Sequence, residues 1–380
     1  SSWGLLQDYG RYLRAPSAIN GAESMAHFEL QLSAAVLQML KHLSNGQLDS
    51  ENPELKWQLQ RSDVSGNELI TMLLSGVALP AIAEQLVERK NEQAGLLEAL
   101  ADYDTIVAEG GWPQLTSRRL LKIGDSSDSI KILRERLAIE GYPIKTSKKP
   151  RLFDNQLFEH VKEFQARHGL RPDGSLGKQT RLALNIPADI RRDQIHANLE
   201  RLRWMPENLG NTHVRVNIPD YRLQLVSEGK AELDMAVIVG RKKRATPIFS
   251  DDISILEVNP VWNVPVTIAF EDYLPELRKN PNYLKKKKIR VFENWKAGAK
   301  ELDPENVNWS AVVDGKTIGK RRWFPYRLTQ DPGRRNSLGR VKFLFPNAHN
   351  VYLHDTPDRG LFRRTARAHS SGCIRVEDPE

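Results

Sequence analysis

The chain contains a single cysteine, Cys373, within His369-Ser370-Ser371-Gly372-Cys373-Ile374-Arg375-Val376. A histidine, His354, lies nineteen residues earlier, in Val351-Tyr352-Leu353-His354-Asp355. One thiol, one distant imidazole and a small-residue turn at the thiol are the parts of a cysteine nucleophile and its base. A free thiol titrates near about 8.5, so little of it is thiolate at neutral pH. A neighbouring imidazole either accepts the proton or, as imidazolium, stabilises the thiolate. Gly372 permits a tight turn, which makes the backbone N–H groups of Gly372 and Cys373 candidate oxyanion donors, with the Tyr352 phenol as a third. Arg375 suits a substrate carboxylate through a two-pronged contact. Ser370 and Ser371 are assigned to the same substrate-binding segment, and their hydroxyls also suit local bonds that shape the turn. The competing reading is a buried structural cysteine, the commoner fate of a lone thiol.

Two histidines compete for the role of base. His369 stands four residues before the thiol; if the segment is extended, that is roughly 13 Å and too far for a hydrogen bond, whereas a turn would bring it within reach. His354 must arrive from a neighbouring strand, and it is assigned as the general acid and base. A third group usually orients the imidazole; a backbone carbonyl and the Asp355 carboxylate are both open. One thiol excludes an intrachain disulfide and a cysteine-rich zinc site. Neither a metal nor a cofactor is expected.

Lysine and arginine number 56 against 48 acidic residues, a net charge of +8, which favours an anionic partner. No zinc finger, RNA-binding signature or clear helix-turn-helix supports nucleic acid. The run Lys285 to Lys288 reads as a solvated face or loop. No run of eighteen apolar residues exists, so no membrane-spanning helix is expected.

These residues need elements to position them. From His213 onward apolar residues alternate with polar ones: Val214, Val216 and Ile218, then Tyr221, Leu223 and Leu225, with Asp220 at the turn. Met235 to Val239, Ile253 to Val258 and Val261 to Val264 are further expected strands, giving a mostly β domain over 213–380. Between about 267 and 335 the strand pattern is lost in a charged, aromatic stretch, the length of a lid or small subdomain. Before His213 the pattern is helical. Phe28, Leu32, Ala35, Val36, Met39 and Leu43 form one helix face ended by Asn45-Gly46. Further helices follow around Leu69 to Leu74, Ile82 to Val87 and Leu96 to Tyr103, then Gly110-Gly111-Trp112-Pro113 marks a linker. Residues 121–187 read as a compact three-helix module: caps at Asp125 to Asp128, a second helix through Leu157, Val161 and Phe164, a turn at Asp173-Gly174, and a last helix from Thr180. Ile190 to Arg203 is helical again, so residues 188–212 join 1–120 as one helical scaffold into which the module is inserted. The fold class expected is therefore multidomain α+β. The chain is also expected to continue past Glu380, because an element packing behind the nucleophile would normally follow.

His354 followed by Ser370-Ser371-Gly372-Cys373-Ile374-Arg375 resembles the signature of the YkuD-type L,D-transpeptidases, with Ser371 where that family usually has histidine. The run Phe164 to Gly174 resembles a common three-helix peptidoglycan-binding module. The resemblance implies a YkuD-like β-sandwich catalytic domain with a capping insert at about 267–335. It implies a periplasmic location and no cofactor. It also implies a cysteine thioester mechanism on peptidoglycan tetrapeptide stems that releases D-alanine and forms 3→3 cross-links between diaminopimelate residues. Carbapenem-type β-lactams are then the expected covalent inhibitors, and cell-wall synthases the expected partners. An L,D-carboxypeptidase or amidase of the same chemistry, and a wall-binding scaffold without catalysis, are the alternatives.

Overall fold

The computed structural model describes residues 22–48, 57–59, 63–88, 93–206, 209–313, 317–318 and 321–380. The chain divides into two compact units, Ser1–Leu209 and Gly210–Glu380.

The first unit is helical. Helix α1 (Ala22–Asn45) ends at Gly46, whose φ of +85° few side chains tolerate. Helices α2 (Gly66–Leu74) and α3 (Leu79–Glu88) pack on it around Leu40, Val64, Leu69, Ile82 and Leu86. Ser65 caps α2 by accepting the Glu68 N–H. Helix α4 (Gln93–Ala108) packs against α8 (Ala188–Arg203). The Glu200 carboxylate of α8 accepts the N–H groups of Gln47 and Leu48 just past α1, at 2.6 and 2.7 Å.

Between α4 and α8 lie α5 (Asp128–Ile139), α6 (Asn155–Arg167) and α7 (Lys178–Leu184), capped at Ser127 and Asp154 and closed around Leu121, Leu133, Phe153, Leu157, Phe164 and Leu184. Gln165 explains the Asp173-Gly174 turn. Its buried amide accepts the Gly174 N–H at 2.8 Å and donates to Asp173, Ser175 and Thr180, so the turn is built onto helix α6. The break after α4 falls at the expected glycines, but Trp112 is no loose linker residue: it is buried, donates to the Ile186 carbonyl at 3.0 Å and lies under the Arg136 guanidinium.

The second unit is mostly β. Strands β1 (Thr212–Asn217), β2 (Arg222–Ser227) and β3 (Lys230–Gly240) form consecutive hairpins. Strand β3 is longer than its apolar core, Met235 to Val239, suggests. Glu228 and Gly229 both adopt positive φ, which gives a two-residue turn matched to strand twist, so Lys230 pairs with Ser227 at once and the polar stretch is drawn into the ladder. Strand β4 is Ile255–Val258. The chain then enters the insert and returns through β9 (Val341–Leu344), β10 (Leu353–His354), β11 (Ala368–Ser370) and β12 (Ile374–Val376). The main sheet runs β1-β2-β3-β12-β10-β9-β4, with β11 pairing beside β3. One of its faces packs Leu223, Val237, Val239, Phe345, Leu353, Ile374 and Val376.

The insert is not devoid of strands. Trp262–Asn263 (β5), Ile289–Phe292 (β6), Glu301–Leu302 (β7) and Arg327–Gln330 (β8) form a second sheet ordered β5-β8-β6-β7 among the described residues. Such short strands leave too brief an alternation to read from sequence. The Val261–Val264 segment belongs to this sheet rather than the main one. A helical entry, Val266 to Lys279, adds Phe270, Tyr273, Leu274 and Leu277 to a core shared with Trp309, Phe324 and Leu328. The expected insert span of 267–335 therefore begins a few residues late.

Candidate active site

The strand register builds the site. Parallel pairing of β10 with β12 sets Leu353 against Ile374 and His354 against Arg375. Leu353 and Ile374 face the apolar core, so by the two-residue period His354 and Arg375 share the opposite face. Antiparallel pairing continues this row outward: Lys342 of β9 lies beside His354, and Glu257 of β4 beside Lys342. Just before β10 and β12 come Tyr352 and Cys373, respectively. The Ile374 N–H bonds the Tyr352 carbonyl at 3.1 Å. Distant sequence segments are thus brought side by side.

His354 is buried, and its Nδ1–H donates to the Asp355 carbonyl at 2.5 Å. That bond leaves Nε2 with the lone pair a base needs. The orienting group is the carbonyl, because the Asp355 carboxylate is engaged elsewhere. It accepts the N–H groups of Arg340 at 2.8 Å and Thr356 at 2.6 Å, and pairs with Arg359. Burial, aided by the Arg375 cation, pushes the imidazole down to about 3, so it is neutral at physiological pH. Burial pushes the Cys373 thiol up, only partly offset by bonds from Tyr352. Burial thus favours the neutral form of both the thiol and the imidazole.

The half-buried Cys373 thiol donates to the Asn350 carbonyl at 3.8 Å, and the Tyr352 hydroxyl also bonds the sulfur. The Tyr352 ring meets the His354 ring edge-on at 5.6 Å, and the Trp262 side chain bonds its hydroxyl. Tyr352 thus touches both the imidazole and the thiol. His369 lies exposed on β11, its Nε2 at 3.0 Å from the Ala366 carbonyl.

The turn before Cys373 corrects two expectations. Ser370 is buried; its hydroxyl donates to the Cys373 carbonyl at 2.5 Å and accepts the Gly372 N–H at 3.1 Å. Ser370 shapes the turn and does not face a substrate. The Gly372 N–H is thereby committed, which removes it as an oxyanion donor and leaves the Cys373 N–H and the Tyr352 hydroxyl. What Gly372 supplies is its φ of +123°, where a side chain would be strained. Its carbonyl accepts the Thr246 hydroxyl at 2.8 Å, and Thr246 in turn accepts the Gly240 N–H at 2.9 Å. Ser371 is exposed, and Arg244 donates to its hydroxyl at 2.9 Å. Arg375 is half-buried and pairs with Asp358 at 3.2 Å.

Sequence reasoning missed Lys342, Glu257, Asn350, Trp262, Thr246 and Arg244. Lys342 is placed by strand pairing alone, opposite His354 on the neighbouring strand. Thr246 and Arg244 lie more than a hundred residues from the thiol and carry no local signal.

Residues 211–380 match the family of the YkuD L,D-transpeptidase catalytic domain, residues 126–184 a "Putative peptidoglycan binding domain", and residues 2–100 a "Scaffold domain". The chain is 36% identical over 229 residues, 59% of its length, to a "Putative L,D-transpeptidase" of Haemophilus influenzae, of whose length it covers 43%. Among solved structures, the L,D-transpeptidase of Stackebrandtia nassauensis is 16% identical, covering 69% of this chain and 85% of that one, with a TM-score of 0.25. The L,D-transpeptidase (residues 123–326) of Xylanimonas cellulosilytica is 14% identical, covering 70% and 87%, with a TM-score of 0.18. The chain is thus similar to L,D-transpeptidase catalytic domains over residues 211–380 and to peptidoglycan-binding domains over residues 126–184.

Proposed function

We propose that the chain forms 3→3 cross-links in peptidoglycan by acyl transfer through Cys373. The thiol gives its proton to Nε2 of His354, and the sulfur attacks the carbonyl of the third residue of a tetrapeptide stem. The carbon–nitrogen bond breaks, D-alanine leaves with the proton held by His354, and a thioester remains. The side-chain amine of a second stem, deprotonated by His354, attacks the thioester; the new amide forms and the thiol is restored. The Cys373 N–H and the Tyr352 hydroxyl stabilise the oxyanion. Arg375 receives a stem carboxylate by exchanging its Asp358 partner.

The observation that carries this reading is the buried His354, its Nδ1 fixed by the Asp355 carbonyl, on a strand paired with the one that starts just after the thiol. The insert caps the groove and favours an amine over water as acceptor. Carbapenem-type β-lactams acylate the same sulfur. The combination of scaffold, wall-binding module and capped catalytic domain is similar to the periplasmic murein L,D-transpeptidase YcbB of enteric bacteria, and a periplasmic site of action beside cell-wall synthases goes with that likeness. Incubation with disaccharide tetrapeptides and mass spectrometry of the products tests the proposal. Tripeptide–tetrapeptide or tripeptide–tripeptide dimers, absent with Cys373→Ala, are expected. Tripeptide without dimers would make the enzyme a carboxypeptidase, and unchanged substrate would leave a wall-binding scaffold.

A further inference from the structure

Arg244 stands in the loop after β3, outside every motif the sequence offers. Its side chain is 10% exposed. Its five guanidinium donors are all engaged. Nε–H donates to Glu271 at 3.1 Å. The two Nη1 donors reach Asp272 at 2.7 Å and Ser371 at 2.9 Å. The two Nη2 donors reach Glu271 at 2.6 Å and Asp272 at 3.0 Å. Only arginine offers five donors in a fixed fork. Arg241 adds a second cation to Asp272 at 3.0 Å, while its backbone N–H holds the Ser370 carbonyl at 3.1 Å.

The two ends of this bridge are different parts of the domain. Ser371 is two residues from the sulfur, in the turn that Ser370 and Thr246 already pin. Glu271 and Asp272 lie in a π-helical turn, Ala269–Tyr273, at the root of the insert. Their neighbours Phe270, Tyr273 and Leu274 are buried in the insert core. A π turn inside a helix recurs at functional positions because it redirects side chains at a cost in helix geometry. Here it aims two successive carboxylates at one guanidinium.

We propose that Arg244 is a positioning residue that couples the insert to the nucleophile. Its guanidinium fixes the Ser371–Cys373 turn relative to Asp272 and Glu271, so the stance of the insert sets the stance of the sulfur. Ser371 is the contact through which the coupling reaches the turn. The effect on turnover rests on the transpeptidase reading above, whereas the effect on the thiol does not.

The test uses the full chain with Arg244→Gln, Arg244→Lys, Asp272→Asn, Ser371→Ala and the Asp272→Asn/Ser371→Ala pair. It follows Cys373 alkylation by iodoacetamide at fixed pH, together with kcat and KM on tetrapeptide. Losing a charge-assisted hydrogen bond of about 1.5 kcal/mol predicts a fall of about tenfold in alkylation rate and in kcat for Arg244→Gln, Asp272→Asn and Ser371→Ala. KM should stay within about twofold. The double variant should be no slower than its worse parent, because both changes cut one path. Arg244→Lys, which keeps the charge but only three donors, should fall between wild type and Arg244→Gln; it and Ser371→Ala keep the test informative should Arg244→Gln fail to fold. Wild-type alkylation and kcat in Asp272→Asn and Ser371→Ala, or additive losses in the pair, overturn the coupling. Altered alkylation in a chain whose wild type releases no D-alanine would sink the transpeptidase reading and leave the coupling standing.

Discussion

Replacing His354 with glutamine should remove a specific acid sensitivity of the fold. The imidazole titrates at about 3 in the folded domain and near about 6.5 when unfolded, lowered by burial and then by the Arg375 cation. The folded value is depressed, so the unfolded chain takes up the proton first. Stability conferred by keeping His354 neutral is whole above about pH 6.5 and is lost as pH falls toward 3. Between pH 7.5 and 5 the loss is RT ln(1 + 10^1.5), about 2 kcal/mol, or about 4–8 °C in Tm for a domain of this size. Other titrating groups shift wild type and variant alike, so the difference between the two isolates the imidazole. Urea unfolding monitored by tryptophan fluorescence at both pH values should show wild type losing about 2 kcal/mol more than His354→Gln. Equal losses in the two proteins would refute the burial and neutrality assigned to His354.

Three further outcomes follow from the same geometry. Gly372→Ala should cost about 1–3 kcal/mol from the strained positive φ and lower turnover sharply, measured as Tm and kcat. Its Cβ would meet nothing nearer than the Arg244 carbonyl at 4.0 Å, so the effect is conformational rather than steric. Ser370→Ala strands the Gly372 N–H and the Cys373 carbonyl and should destabilise the domain by about 1–3 kcal/mol, read by chemical denaturation. Iodoacetamide labelling of Cys373 should climb with pH through 9 and beyond, without an inflection near 6 to 7, because burial raises the thiol and the imidazole is already neutral there.

The segments that hold the thiol and the His354 imidazole, and the change of period at residue 213, were legible because each is a local pattern. A unique residue type, two-residue alternation from Val214 to Leu225 and the helix cap at Ser127 all declare themselves within a few positions. The Phe164 to Gly174 run was legible for a reason the structure supplies: Gln165 must satisfy the turn at Gly174. The second sheet was not, since its strands are two to four residues long and paired across up to 68 positions, as Gln330 is with Trp262. The fate of the Gly372 N–H was hidden for another reason. A small-residue turn advertises free amides, but a serine hydroxyl two residues earlier can claim one, and sequence does not say which. The partners of Arg244 and Thr246 depend on long-range packing alone.

Acyl transfer through the Cys373 sulfur is tested most directly by trapping the intermediate. Intact-mass spectrometry of the chain mixed with tetrapeptide stems and no acceptor amine, followed by fragmentation of the peptide holding Cys373, should find the wild type heavier by the donor less D-alanine, with the added mass on the sulfur. Cys373→Ala should gain nothing, and His354→Gln should acylate far more slowly. A donor adduct on any other residue, or D-alanine released at the wild-type rate by Cys373→Ala, would contradict the account.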